Sequence, residues 1–214
     1  INAMTSPSVS IHMQLESWIN NTAEPLEIKL KEFILTLEDS LRHLPERRLT
    51  CRANWQGKTV IAKLFYGKQF AKYSNKEQQT LNALIEAGIN TPKLLHVYQQ
   101  GDFSVLIIEY LSNTVSLLNW MKNGPTKLEF ELVMSHTASL MLECHQSGFE
   151  IKDPHLENFL LCDEQVFIID AGDIEFSPLP VVMTLAIRNM ALLYAQLYVR
   201  WDELAYQILA QNYL

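Results

Sequence analysis

Cysteine is scarce: three residues in 214, Cys51, Cys144 and Cys162, too few to pair completely and nowhere in a C-x-x-C spacing. A disulfide scaffold and a Cys-based zinc site are therefore excluded, and reduced thiols of a cytoplasmic protein are expected. Long apolar runs are missing too. Val105–Ile108 and Val166–Ile169 are of strand length, far short of the roughly 18–20 residues a spanning helix needs. No basic start followed by an apolar stretch stands near Met4, so no secretory signal is expected. Positive charge is in deficit, with 17 Lys and Arg against 24 Asp and Glu. This argues against a nucleic-acid partner, since duplex binding depends on neutralising phosphates. Glycine and proline number only 7 and 8, and 48% of the chain is hydrophobic, the composition of a folded protein without long linkers.

What is present is unevenly spread. Residues 1–110 carry 12 basic and 11 acidic side chains, and residues 111–214 carry 5 and 13. A near-neutral first half and an acidic second half suit a nucleotide cleft whose second lobe supplies metal-binding carboxylates, although many solvated surfaces share that asymmetry. Ile1-Asn2-Ala3 before Met4 reads as a vector remnant, and residues 5–13 read as a loose, Ser/Thr-rich lead. Leu26, Leu30, Phe33, Ile34, Leu37 and Leu41 fall at helical spacing and predict an amphipathic helix over 25–42. Residues 48–53 and 59–65 predict a β-hairpin turning at Gly57. A second helix is expected over 71–87 with Gly88 as its stop, then strands over 93–98 and 103–110. Beyond Leu111 the pattern is helical, over 115–122, 128–147 and from Val181 onward, interrupted by short strands at 159–162 and 165–169. The division expected is a flexible start (1–13), a strand-rich lobe with a leading helix (14–110) and a helical lobe (111–214), with a cleft between the lobes.

The chemistry concentrates in Ile151-Lys152-Asp153-Pro154-His155-Leu156-Glu157-Asn158, followed by a hairpin and Asp170-Ala171-Gly172. Asp and Asn five residues apart, then a hairpin, then Asp-x-Gly, resembles the catalytic and metal-binding loops of the protein-kinase-like superfamily. Phosphoryl transfer needs a carboxylate to orient the attacking hydroxyl and take its proton, which would be Asp153. It also needs oxygen ligands for Mg²⁺ on the phosphates, which would be Asn158 and Asp170. Each residue taken alone has an ordinary reading as a turn or strand-capping residue. In the first half, Lys63 ends the apolar strand Val60-Ile61-Ala62-Lys63, as does the strand-borne lysine that meets ATP phosphates in kinases. Glu77 in the next helix would pair with it. The ordinary alternatives are a snorkelling edge lysine and a solvated glutamate.

Arg47–Cys51, Trp55–Lys58, Lys63–Gly67, Glu77 with Leu81 and Leu84, Glu86–Pro92 and the later loops resemble the lipopolysaccharide-core (Kdo/heptose) kinase family, over about residues 42–195. That resemblance implies an α+β, two-lobed protein-kinase-like fold with a small antiparallel-sheet N-lobe and a reduced helical C-lobe. It implies transfer of the ATP γ-phosphate to a sugar hydroxyl of the lipid A–core, with Mg²⁺, at the inner face of the inner membrane. It also implies a hinge at Glu109 and Tyr110 contacting adenine through backbone groups. His145 matches a position often histidine in these relatives, and packing accounts for it as well as chemistry does. The sequence departs from the superfamily at several points. Ile151 stands where His is usual, Pro154 where Leu is usual, and Ala171 replaces the Phe of Asp-Phe-Gly. The glycine-rich loop is reduced to Gly57, and no Ala-Pro-Glu signature follows. These departures keep two other readings open, a pseudokinase serving as a binding or scaffold module, and a kinase of another small molecule or of a protein.

Overall fold

The structure is a computed structural model describing residues 11–20 and 24–213. It resolves into two units. One runs to Asn75 and resumes over Leu94–Tyr110; the other comprises Lys76–Lys93 and the chain from Leu111 onward.

In the first unit, helix α1 (Ile11–Ile19) precedes strands β1 (Leu26–Lys29), β2 (Ile34–Leu44), β3 (Arg48–Trp55) and β4 (Lys58–Phe65). Helix α2 (Phe70–Glu86) begins in this unit and ends in the other, and β5 (Leu94–Gln100) and β6 (Phe103–Glu109) follow. The six strands form one sheet in the order β1-β2-β3-β4-β6-β5, antiparallel at every pairing. Strand side chains alternate between faces, and one face is apolar throughout. Leu49, Cys51 and Ala53, then Val60, Ala62 and Leu64, then Phe103, Val105 and Ile107 gather with Leu15 and Trp18 of α1. The residues between them, Ile61, Lys63 and Phe65 on β4, turn to the opposite face. There Ser104 of β6 meets Ser74 of α2, hydroxyl to hydroxyl at 2.6 Å. The β3–β4 hairpin turns on two residues, Gln56 and Gly57, both at positive φ between paired Trp55 and Lys58. This is the type I′ geometry for which Gly is suited.

The second unit adds β7 (Val115–Ser116), α3 (Leu117–Lys122), α4 (Lys127–Gln146), β8 (Phe149–Ile151), β9 (Phe159–Cys162), β10 (Gln165–Ile168), β11 (Ile174–Phe176), α5 (Met183–Tyr194) and α6 (Asp202–Asn212). Thr126 and Glu129 cap α4 reciprocally, satisfying two of the amides a helix start leaves unpaired. β7, β9 and β10 make one small antiparallel sheet, and β8 pairs with β11 in another. Gly148 joins α4 to β8 at a φ of +85°, and a Cβ there would stand 1.8 Å from the Ser177 carbonyl oxygen. Only glycine allows this approach, in which Ser177 N–H donates to the Gly148 carbonyl at 2.9 Å.

The architecture is the expected α+β one, but the helix expected over 25–42 is instead the β1–β2 hairpin. Ile34 and Leu41, which the helical spacing places on the buried face, are 51% and 57% exposed, while Leu35 and Leu37 are fully buried. The strand period is masked because β2 slips register against β3 twice, between Leu37 and Asp39 and between Ser40 and Arg42. Such bulges break strict alternation. The leading helix is α1, which takes up residues 11–13 of the stretch expected to be loose. The rest of that stretch and the vector remnant lie outside the described residues. The short helix expected over 115–122 begins with the β7 strand, and the β8–β11 pair was not foreseen.

Candidate active site

Asp153, Asn158 and Asp170 all belong to the second unit and come together through a short chain of hydrogen bonds. Past Ile151, the end of β8, Asp153 and Pro154 lead into a 3₁₀ turn at Leu156–Asn158. The turn is closed by Asn158 N–H donating to the His155 carbonyl at 2.8 Å, and His155 Nδ1 accepts the Glu157 N–H at 3.2 Å. The Asn158 side chain reaches back, its Nδ2 donating to the Asp153 carbonyl at 3.1 Å. Its main-chain carbonyl accepts the Ile169 N–H at 2.9 Å. Asp170 is therefore one residue from a strand end bonded directly to Asn158, and the β9–β10 hairpin between them sets that register. Ile168 is fixed from the other side, its N–H donating to the Asn90 carbonyl at 2.9 Å and its carbonyl accepting the Thr91 hydroxyl at 2.9 Å.

Asp170 adopts left-handed backbone angles, φ 63° and ψ 57°. Few residues other than Gly accept these angles, Asp and Asn among them. Strained backbone of this kind clusters where a side chain must be aimed rather than merely packed. Behind it, Asp173 N–H donates to the Asp170 carbonyl at 3.3 Å, and Lys152 N–H donates to the Asp173 carbonyl at 3.1 Å, linking the two loops again. Lys152, next to Asp153, directs its ammonium to Glu150 at 2.8 Å and Glu175 at 3.5 Å. The bond to Glu150 holds its pKa above the ordinary lysine value.

The donor set fits a hard cation. With its Nδ2 donating to a carbonyl, the Asn158 amide keeps Oδ1 as its acceptor. An amide oxygen and an Asp on neighbouring loops would suit Mg²⁺, which binds one or two protein oxygens and keeps water and phosphate for the rest. No cluster of three or more His, Cys, Asp or Glu able to hold a metal occurs among the described residues, so a zinc-type cage is not built there.

The other expected residues are placed as follows. Lys63 is 8% exposed on β4, paired across the sheet with Thr50 and Leu106. Glu77, on α2, is 1% exposed. A charge that deep is stable only when compensated, and neither residue is without a partner. Glu109 ends β6 opposite Val60, and Tyr110 follows it as the last residue of the first unit. Ile151, in the usual histidine position, is a buried strand residue paired with Ile174. His145 is a packed residue. Its Nε2 lies 3.1 Å from Asn189 Oδ1, its Nδ1 meets the Tyr213 hydroxyl, and burial lowers its pKa below 6.5. Burial pushes the Cys51 and Cys144 thiols up to about 12, which keeps them protonated and inert. Two amides that sequence reasoning passed over, Asn189 and Gln196, bond the backbone on either side of Asp153. A lone amide in an apolar helical pattern carries no signal.

No known protein family matches the sequence, and no curated protein sequence does either. Among solved structures the chain is similar to WaaP in complex with acyl carrier protein, with a TM-score of 0.64 and 20% sequence identity. The match covers 82% of this chain and 79% of that one. The fold is protein-kinase-like.

Proposed function

We propose that the protein is an ATP- and Mg²⁺-dependent phosphotransferase that moves the γ-phosphate to an alcohol, a sugar hydroxyl of the lipopolysaccharide core. The observation that supports this reading is the hydrogen-bonded chain from the Asp153 carbonyl through Asn158 to Ile169, the residue before Asp170. In this reading Asp153 orients the acceptor hydroxyl and takes its proton, while Asn158 and Asp170 hold the cation. Bound Mg²⁺ would neutralise charge on the phosphates. Lys63 would contact the phosphates, and the backbone at Glu109 and Tyr110 would meet adenine. Positioning and charge neutralisation supply most of the rate in such transfers. The sugar acceptor rests on the sequence resemblance to the lipopolysaccharide-core kinases. It would bring the protein to the inner face of the inner membrane; no helix among the described residues is long and apolar enough to cross one.

A second reading, a nucleotide-binding pseudokinase, is favoured by the two-residue turn at Gln56 and Gly57. That turn offers few backbone amides to phosphates where kinases use a longer glycine-rich loop. Turnover separates the two readings. ADP release from Mg-ATP, measured with dephosphorylated lipopolysaccharide core as acceptor, is expected to fall by about 10²–10⁴-fold in Asp153→Asn. Nucleotide binding without ADP release on the core or on other alcohols would favour the pseudokinase. Release that Asp153→Asn leaves unchanged would remove the role given to that residue.

A further inference from the structure

In the segment bearing Asp153, Ile151, Pro154 and Leu156 are buried while Lys152 and Asp153 are exposed, and amide side chains on and just past α5 bond its backbone. We infer that Asn189 and Gln196, seven residues apart on and just past α5, are positioning residues that grip the backbone on both sides of Asp153 and so fix where its carboxylate stands. The inference rests on the phosphotransferase reading of Asp153.

Asn189, 2% exposed, accepts the Ile151 N–H on its Oδ1 at 3.0 Å, two residues before Asp153. That N–H can only donate, so it fixes which end of the amide faces it. The same oxygen lies 3.1 Å from His145 Nε2, so this ring nitrogen must carry the proton. The other ring nitrogen then accepts from the Tyr213 hydroxyl just past α6. Helices α4 and α5 thus meet at one amide oxygen that also holds the end of β8, and Tyr213 bonds the far side of the His145 ring. Gln196 works on the far side. Its Nε2 donates to the Pro154 carbonyl at 3.0 Å and to the Leu192 carbonyl of its own helix at 2.9 Å, while its Oε1 accepts the Leu156 N–H at 3.1 Å. The position takes a donor and an acceptor on one planar group, which a carboxamide provides. Asn189 and Gln196 bond the backbone of Ile151, Pro154 and Leu156, and each acts through it.

The two grips make different demands, and that gives the test its edge. Asn189→Asp keeps an acceptor for both Ile151 and His145, whereas Asn189→Leu removes it. Gln196→Glu keeps the acceptor for Leu156 but loses the donor to Pro154, and Gln196→Met keeps only the volume. Amide hydrogen exchange of the full chain is expected to show faster exchange confined to 151–158 in Asn189→Leu and in Gln196→Met. ADP release from Mg-ATP is expected to show kcat lower by roughly ten- to a hundredfold in those two variants, with KM for ATP unchanged. Asn189→Asp should retain most of the wild-type rate, and Gln196→Glu should fall with Gln196→Met. In an Asp153→Asn background Gln196→Met should cost almost nothing more, because it acts through the residue already removed. Unchanged exchange at Leu156 in Gln196→Met, or an equal loss of kcat in both backgrounds, would overturn the inference. If the wild type releases no ADP at all, the phosphotransferase reading fails. The exchange pattern then still decides the grip, upheld by local deprotection and refuted by its absence.

Discussion

The strands of the first unit's sheet send alternate side chains into one apolar layer, whereas the loops carrying Asp153, Asn158 and Asp170 hang between strands of three or four residues. In the sheet, Leu35, Leu37, Leu49, Leu64, Val105 and Ile107 are fully buried, and the backbone ladder is continuous across six strands. In the loops the fixing contacts include bonds from amide side chains, two 3₁₀ turns and a left-handed aspartate. Apolar burial is non-directional and tolerant of small shifts; hydrogen bonds are directional and leave a costly orphan when one partner goes. A scaffold can be built from the first kind of contact. A group that must be aimed needs the second.

Breaking the sheet should cost the most stability. Leu64→Ala removes a fully buried side chain between β3 and β6 and should lower unfolding free energy by about 2–5 kcal/mol in urea or thermal unfolding. Next is Gly148→Ala. Its positive φ and the backbone oxygen 1.8 Å from the added Cβ should cost about 3 kcal/mol. Unlike the Leu64 change, it should disturb the β8–β11 pair and therefore ADP release as well. Thr126→Ala sharpens the comparison from the other side, because the cap it removes serves a helix rather than the loops. About 1 kcal/mol of stability should go, with kcat unchanged.

The smallest effect should be on pH dependence. Burial holds the His145 pKa below its ordinary value of 6.5, so the folded state resists the proton that the unfolded state accepts. Its contribution is present above pH 6.5 and is lost as pH falls below that value toward the folded pKa. The stability advantage of wild type over His145→Leu should therefore narrow on acidification and hold constant above neutrality. An advantage that widens as pH falls would contradict the neutral, doubly bonded ring.

Much of this was legible from residues alone, for a physical reason. Asp153, Asn158 and Asp170 are spaced by a turn and a hairpin whose lengths are fixed by local backbone geometry, so sequence distance converts into placement. Gln56-Gly57 between two apolar runs marked its hairpin in the same way, and Gly88 marked the end of α2. The stretch over 25–42 misled because its leucines satisfy a helical period, while the bulges that make it a strand depend on pairing with β3, invisible along the chain. Asn189 and Gln196 lay hidden for a related reason. Each is defined by a partner about 40 residues away, and no local pattern announces such a bond. His145 stayed open between packing and chemistry until Asn189 and Tyr213 were seen on its two nitrogens.

The proposed phosphotransfer requires a cation held by Asn158 and Asp170. Calorimetric titration of the full chain with ATP, with and without Mg²⁺, in wild type and Asp170→Ala, tests it most directly. Magnesium-dependent binding in the wild type that falls sharply in Asp170→Ala is predicted. Binding that ignores magnesium, or that Asp170→Ala leaves intact, would contradict the account.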